Sequence, residues 1–135
     1  MNKRQRRKRN RQYSIDKATR QTVRAYCLLY PKWQREHASL IGLQSRSGDH
    51  GGSGRTDPTA SQAIRAAHLG EKIFQLEDAV RTVAPEIYKE LLLGVTRSGM
   101  TFDILKRNKG IPCERDYYYQ KRREFYELMS ARLGL

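Results

Sequence analysis

Residues 110–129, GIPCERDYYYQKRREFYELM, combine aromatic side chains with cations at helical spacing. Arginine and glutamine can bind guanine and adenine through paired hydrogen bonds, whereas cations further from the bases contact phosphates. The segment is therefore a candidate for a DNA-reading helix. A plain amphipathic helix with a solvated basic face and a stacking platform for single-stranded bases are the alternatives. The candidates for base contacts are Arg115, Tyr119 and Gln120, and those for phosphate contacts are Arg122 and Arg123.

Helical spacing also predicts the buried side of this segment. Residues three, four and seven positions apart share one face of a helix, and five apolar or aromatic residues follow that rule. The five residues expected to face the core are Tyr118, Phe125, Leu128, Met129 and Leu133. Tyr117 is expected to be half-buried, because it neighbours both Phe125 and the cation Lys121.

The elements that must position this helix are a short helix and a turn. The stretch TFDILKRN, residues 101–108, predicts a helix that Thr101 caps, and Gly110 supplies the backbone freedom for a tight turn. Ile111 is expected to fill the angle between the two helices, the second of which is predicted over 113–133. Residues 101–133 thus have the layout of a helix-turn-helix. Three cations at the end of the first helix are further candidates for DNA contacts: Lys106, Arg107 and Lys109.

The charge of the chain indicates a polyanionic partner. The net charge is +13 over 135 residues, and seven of these charges fall in the first eleven positions, which leaves +6 for the remainder. Such a chain favours nucleic acid through encounter rate and counterion release, while a basic protein kept soluble by self-repulsion is the alternative. Residues 1–13 are expected to form a disordered arm that contacts phosphates without sequence preference. The cations of the arm are Lys3, Arg4, Arg6, Arg7, Lys8, Arg9 and Arg11.

The remaining pattern predicts an all-α fold in two further segments. Val23, Tyr26, Cys27 and Tyr30 share a helix face before Pro31, so residues 14–44 are read as a helical pair. Residues 45–56, rich in glycine and serine, are expected to be a flexible linker.

A helical domain is then predicted over residues 57–135. Asp57 and Pro58 mark the start of a long helix, with a break at Gly70 as one possibility. Pro85 opens a leucine-rich helix that is expected to be central to the core.

Nothing in the sequence has the spacing of a catalytic or metal site. His37, His50 and His68 are scattered, and Cys27 and Cys113 are far apart, so we expect no enzyme activity, no cofactor, no metal site and reduced thiols. No apolar run has the ~20 residues needed to span a membrane. We therefore expect a cytosolic protein that makes no membrane contact.

Parts of the chain resemble the small phage-encoded transcriptional activators of the RinA and ArpU type, which are similar in turn to region 4 of sigma-70 factors. The residues that carry the resemblance are YPKWQ at 30–34, DPTASQA at 57–63 and the terminal IPCERDYYYQKRREFYELMSARLG. The resemblance implies a sequence-specific, double-stranded-DNA-binding regulator from a phage or prophage, located in the bacterial cytoplasm and associated with the nucleoid. An adaptor that contacts host RNA polymerase is a further hypothesis compatible with this one. This chain departs from the family at Cys113 and Glu114, where a serine-like cap is usual.

Two other binding functions remain open. A phage DNA-packaging accessory of the small-terminase kind would also be basic and helical, and an RNA-binding antiterminator would use the arginine-rich arm. A homodimer is a further possibility, for which Trp33 and the helix over 57–83 offer an apolar face.

Overall fold

The computed structural model describes Asn2 and residues 14–47 and 58–135. Every regular element in these residues is a helix, which confirms the all-α class. The α-helices, in chain order α1 to α6, are Lys17–Cys27, Tyr30–Ser47, Pro58–Val83, Tyr88–Thr96, Phe102–Lys109 and Arg115–Arg132. The seven cations predicted for the arm, the predicted N-cap Asp57 and most of the predicted linker lie outside the described residues.

The first two helices begin and end differently from the sequence prediction. Asp16 caps α1 by accepting a hydrogen bond from the Thr19 amide at 2.8 Å. Tyr30 is the first residue of α2 rather than part of the preceding helix, because the chain turns after Cys27. Helix α2 extends to Ser47, so residues 45–47, which the sequence assigned to the linker, are helical.

Helices α2 and α3 pack side by side in antiparallel directions. The Tyr30 hydroxyl donates to Glu77 at 2.7 Å, and further along α2 the His37 ring approaches Gly70. The two helices therefore run in opposite directions. A Cβ added at Gly70 would lie 3.3 Å from His37 Nε2. Helix α3 continues through Gly70 without a break, and the missing side chain instead permits this close approach of the two helices.

Helix α4 occupies the centre of the fold, as its leucine content predicted. Leu91 and Val95 are fully buried, and Ile87 is buried just before the helix. The element does not begin at Pro85 as an α-helix, because Pro85–Ile87 form a 3-10 turn and the α-helix starts at Tyr88. This turn carries Glu86 to the surface near α6, where it meets Tyr117.

One apolar core connects all six helices, including the two that precede the glycine-rich stretch. It contains Val23 of α1, Leu76 of α3 and Phe125 of α6 in direct continuity. Trp33 belongs to the same cluster and is only 5% exposed. Its expected role in a dimer surface is therefore wrong, since the ring packs inside the chain. The large apolar residues that α3 does expose are Ile64 and Phe74.

Candidate nucleic-acid interface

The corner between α5 and α6 is stabilised by two hydrogen bonds from backbone amides and by one buried apolar side chain. Thr101 caps α5 by accepting from the Ile104 amide at 3.3 Å, as predicted. Gly110 adopts the left-handed conformation (φ 61°, ψ 44°) and its amide donates to the Lys106 carbonyl at 3.2 Å. A residue with a Cβ is strained in that conformation, so glycine suits the end of α5. Ile111 follows and is 1% exposed, which confirms its predicted place between the helices.

The buried side of α6 holds the helix firmly against the rest of the molecule. Tyr118 and Phe125 are fully buried and Met129 nearly so, as the helical spacing predicted. Leu128 and Leu133 pack at the margin of the core. Because α6 contacts α1, α3 and α4, its position depends on most of the fold rather than on the α5–α6 corner alone.

The close approach of α4 and α6 depends on Gly94. A Cβ at Gly94 would lie 1.9 Å from the Tyr118 hydroxyl oxygen, which is shorter than any tolerated contact. The Tyr118 ring fills this space and packs edge-on to Tyr119 and at a tilt of 42° to Phe102, with ring centroids 5.1 and 5.8 Å away. Burial raises the pKa of the Tyr118 hydroxyl, which has no hydrogen-bond partner among the described residues. Sequence reasoning missed Gly94, because its partner is 24 positions away.

The N-terminal end of α6 exposes two of the three predicted base-contacting residues. Helix α6 begins at Arg115 rather than at 113, and Glu114 occupies the N-cap position without a side-chain hydrogen bond. Arg115 forms an ion pair of 2.5 Å with Asp103 of α5. Gln120 lies one turn further on and donates to Glu124 at 3.4 Å. Both side chains face outward, and each already has an acidic neighbour within the chain.

Tyr119, the third predicted base contact, is half-buried rather than exposed. Its hydroxyl accepts a hydrogen bond from the Phe102 amide at 3.4 Å, so the side chain turns toward the first residue of α5. The reason is that Tyr119 lies beside Tyr118 on the edge of the buried face, where a large ring gains contact by packing inward. Tyr119 thus supports the α5–α6 corner from the outside.

Arg122 and Arg123, the predicted phosphate contacts, are both partly exposed. The Arg122 guanidinium lies over two aromatic rings, 5.9 Å from the centroid of Tyr119 and 5.5 Å from that of Tyr126. Its Nε also donates to the Tyr126 hydroxyl at 3.4 Å. Cation–π contacts of this kind hold a guanidinium in place beside the rings.

A basic surface adjoins the start of α6 at the end of α5. Lys106, Arg107 and Lys109 are all exposed, and none forms an ion pair with a carboxylate of the described residues. Cations in the last turn of a helix also interact favourably with the helix dipole. The three side chains thus combine a local stabilising role with a positive surface at the end of α5.

The opposite flank of α6 is acidic. Tyr117 is half-buried, as predicted, and its hydroxyl donates to Glu86. Burial and the Glu90 carboxylate raise the pKa of the neighbouring Cys113 thiol, which therefore stays protonated. Lys121 also lies on this flank, with its ammonium 5.4 Å from the centroid of the Tyr117 ring, so a cation accompanies the acidic residues there.

The structure adds three findings to the sequence expectations about catalysis, metals and membranes. The described residues contain no group of three or more His, Cys, Asp or Glu placed to hold a metal ion. Burial raises the pKa of the Cys27 thiol to about 12, so this cysteine is an inert core residue. Within 14–47 and 58–135, no helix combines the length and apolar character that a bilayer span requires.

No protein-family model, curated protein or solved structure matches this chain. The resemblance to the RinA- and ArpU-type activators therefore stays a prediction from the residues quoted above.

Proposed function

We propose that this protein is a sequence-specific, double-stranded-DNA-binding regulator of transcription, in which α5 and α6 act as a helix-turn-helix. The observation that supports this best is the position of Arg115 and Gln120. Both project outward from the start of a helix whose other side is locked into the core. A DNA-reading helix needs this combination, because base contacts require side chains held at fixed positions by a rigid support.

The dimensions of α6 fit the proposed binding mode. Its 18 residues extend about 27 Å, and the major groove of B-DNA, about 12 Å wide, admits one α-helix. In this arrangement Arg115 and Gln120 reach base edges near the N-terminal end. Lys106, Arg107, Lys109 and Arg123 then lie at the margins of the helix and contact phosphates.

The ion pair of Arg115 with Asp103 does not prevent a base contact. The two side chains are 50% and 64% exposed, and ion pairs in contact with water are weak because solvent screens the charges. A guanine base offers Arg115 two acceptors in a geometry that suits its guanidinium. We therefore expect Arg115 to exchange Asp103 for a base when the duplex binds, and Asp103 to disfavour binding to sequences without guanine at that position.

The regulatory part of the proposal rests on the resemblance of the C-terminal segment to phage-encoded activators. In this role the protein is a phage or prophage activator, and contact with host RNA polymerase and dimerisation on DNA belong to the same proposal. The cations of the arm, in residues 1–13, add affinity that is independent of sequence.

The experiment that tests duplex binding uses two matched double variants. Lys106→Ala/Lys109→Ala removes two charges from the proposed interface, and Lys32→Ala/Arg35→Ala removes two exposed charges from α2. We expect the first variant to reduce the log–log salt slope of binding by about 2, at roughly 0.9 per lost phosphate contact, and the control to match the wild type. Equal slopes in all three proteins would contradict the proposed interface.

Competition between nucleic acids separates the alternatives. Duplex DNA should displace a bound duplex more effectively than a structured RNA of equal length, because α6 fits a major groove that A-form RNA does not open to side chains. Preferential displacement by RNA would favour the antiterminator function instead.

A further inference from the structure

A basic groove lies between α1 and α6, on the side of α6 that contains Arg122. Four residues of α1 line it together with Arg122 and the edge of the Tyr126 ring. Their spacing of three, four and seven positions places them on one face of α1. The residues from α1 are Lys17, Arg20, Gln21 and Arg24.

The groove concentrates positive charge. Of its six lining residues four are cations and none is acidic. Asp16, the carboxylate nearest in sequence, accepts the Thr19 amide at the start of α1, and its pKa is lowered first by Thr19 and to a smaller extent by Arg20. Like charges four positions apart, such as Arg20 and Arg24, oppose helix formation. The lining of the groove thus presents a concentration of positive charge.

Guanidinium groups from both helices line the groove beside Tyr126. Burial raises the pKa of the Tyr126 hydroxyl, and the nearby charges of Arg122 and Arg24 oppose that rise. Because Tyr126 is only 4% exposed, it is a fixed anchor for the Arg122 side chain. Two guanidinium groups in one groove, those of Arg24 and Arg122, suit an oxyanion with several acceptor oxygens, such as a phosphate.

We propose that the α1–α6 groove binds the phosphodiester backbone of the duplex whose major groove receives α6. This inference rests on the proposed function and extends the interface to α1, which the sequence did not suggest. Lys17 and Arg24 lie about 10 Å apart along the helix axis, at 1.5 Å per residue. A face of this length can contact more than one phosphate of a strand. Backbone contacts here would fix the angle at which α6 enters the groove.

The test compares two double variants that each remove two cations. Arg20→Ala/Arg24→Ala alters the groove, and Lys32→Ala/Arg35→Ala is the charge-matched control on α2. Binding of a random-sequence duplex is measured between 50 and 200 mM salt, after thermal melting has shown that both variants fold. We expect the groove variant to lose about 2 units of log–log slope and roughly ten- to hundredfold in affinity near 0.1 M salt, with the control unchanged.

A charge-preserving variant sharpens the result. Arg20→Lys/Arg24→Lys should retain the wild-type slope, since lysine also neutralises a phosphate. If the wild-type protein binds the duplex and the alanine groove variant has the same slope as the control, the groove proposal is wrong and the proposed function is unaffected. If the wild-type protein binds no duplex, both proposals fail.

Discussion

The two sides of α6 differ in how their side chains are constrained. On the buried side, Tyr118 and Phe125 are packed among residues from several helices that are distant in sequence. On the exposed side, Arg115 and Gln120 contact single acidic residues, Asp103 and Glu124, at or near the surface. One side of the helix is therefore fixed by the whole fold, whereas the other can exchange its partners without unfolding.

This difference is what the proposed function requires, because a DNA-reading helix must be held firmly while its exposed side chains remain able to bind a new partner. Apolar contacts on the buried side set the position of the helix, because they cannot be replaced by water at low cost. Polar contacts on the exposed side are close to balanced against hydration, so a ligand can replace them. Variants of the buried side should thus change stability, and variants of the exposed side should change binding.

The largest expected effect is on the buried side, at Phe125. Phe125→Ala should reduce the free energy of unfolding by about 3–5 kcal/mol, because the ring is fully buried and its removal leaves a cavity. Urea denaturation measures the change, with Gln120→Ala as a control on the same helix that should unfold like the wild type. A Phe125→Ala protein of wild-type stability would mean that the two sides of α6 are assigned wrongly.

The next effect concerns the contact between Gly94 and Tyr118. Gly94→Ala should destabilise the protein by about 1–3 kcal/mol, because its Cβ would overlap the Tyr118 hydroxyl. Tyr118→Phe alone should be neutral or stabilising, since it removes a buried hydroxyl that has no partner among the described residues.

The double variant Gly94→Ala/Tyr118→Phe tests whether these two residues act through one contact. It should regain part of the stability lost in Gly94→Ala, but not all, because the Tyr118 ring carbon would still lie 3.1 Å from the new Cβ. Thermal melting of the four proteins completes the cycle. Strictly additive effects would show that the two residues are independent.

On the exposed side, Arg115→Ala and Gln120→Ala should change recognition alone. Each should reduce the preference for its cognate base pair by about 5- to 150-fold, the range expected for one lost bidentate contact. Their melting temperatures should stay close to that of the wild type, since both side chains are at the surface. Competition binding with duplexes that differ at one base pair gives the measurement, and a large loss of stability in either variant would contradict the comparison.

The smallest expected effect is at the start of α5. Thr101→Ala should cost about 1 kcal/mol of stability, because the amide of Ile104 loses its cap, and Thr101→Ser should retain most of it. Chemical denaturation resolves a difference of this size. If Thr101→Ala and Thr101→Ser unfold alike, the cap does not contribute to the corner that supports α6.

Local sequence signals predicted much of the fold. The helical period identified the buried residues Tyr118 and Phe125. The Thr101 cap followed from the hydroxyl of threonine, and the Gly110 turn followed from the missing Cβ of glycine. These features depend on residues at most a few positions apart. The end of α2 at Ser47 was missed, since the glycine and serine content of residues 45–47 favours a loop and the prediction followed composition.

The candidate site was less accessible to sequence reasoning, because its geometry depends on contacts between distant elements. The inward turn of Tyr119 requires the first residue of α5, and the basic groove requires α1 beside Arg122, about a hundred positions later in the chain. Trp33 was assigned to a possible surface for the same reason, as nothing near it in sequence indicates that it packs into the core.

The most direct test of DNA reading by α6 is selection from a library of randomised DNA duplexes, performed with the wild-type protein and with Arg115→Ala. The account predicts that the wild type enriches a defined sequence motif and that Arg115→Ala enriches the same motif with the guanine preference lost at one position. Enrichment of no motif by the wild-type protein, or of an identical motif by both proteins, would contradict it.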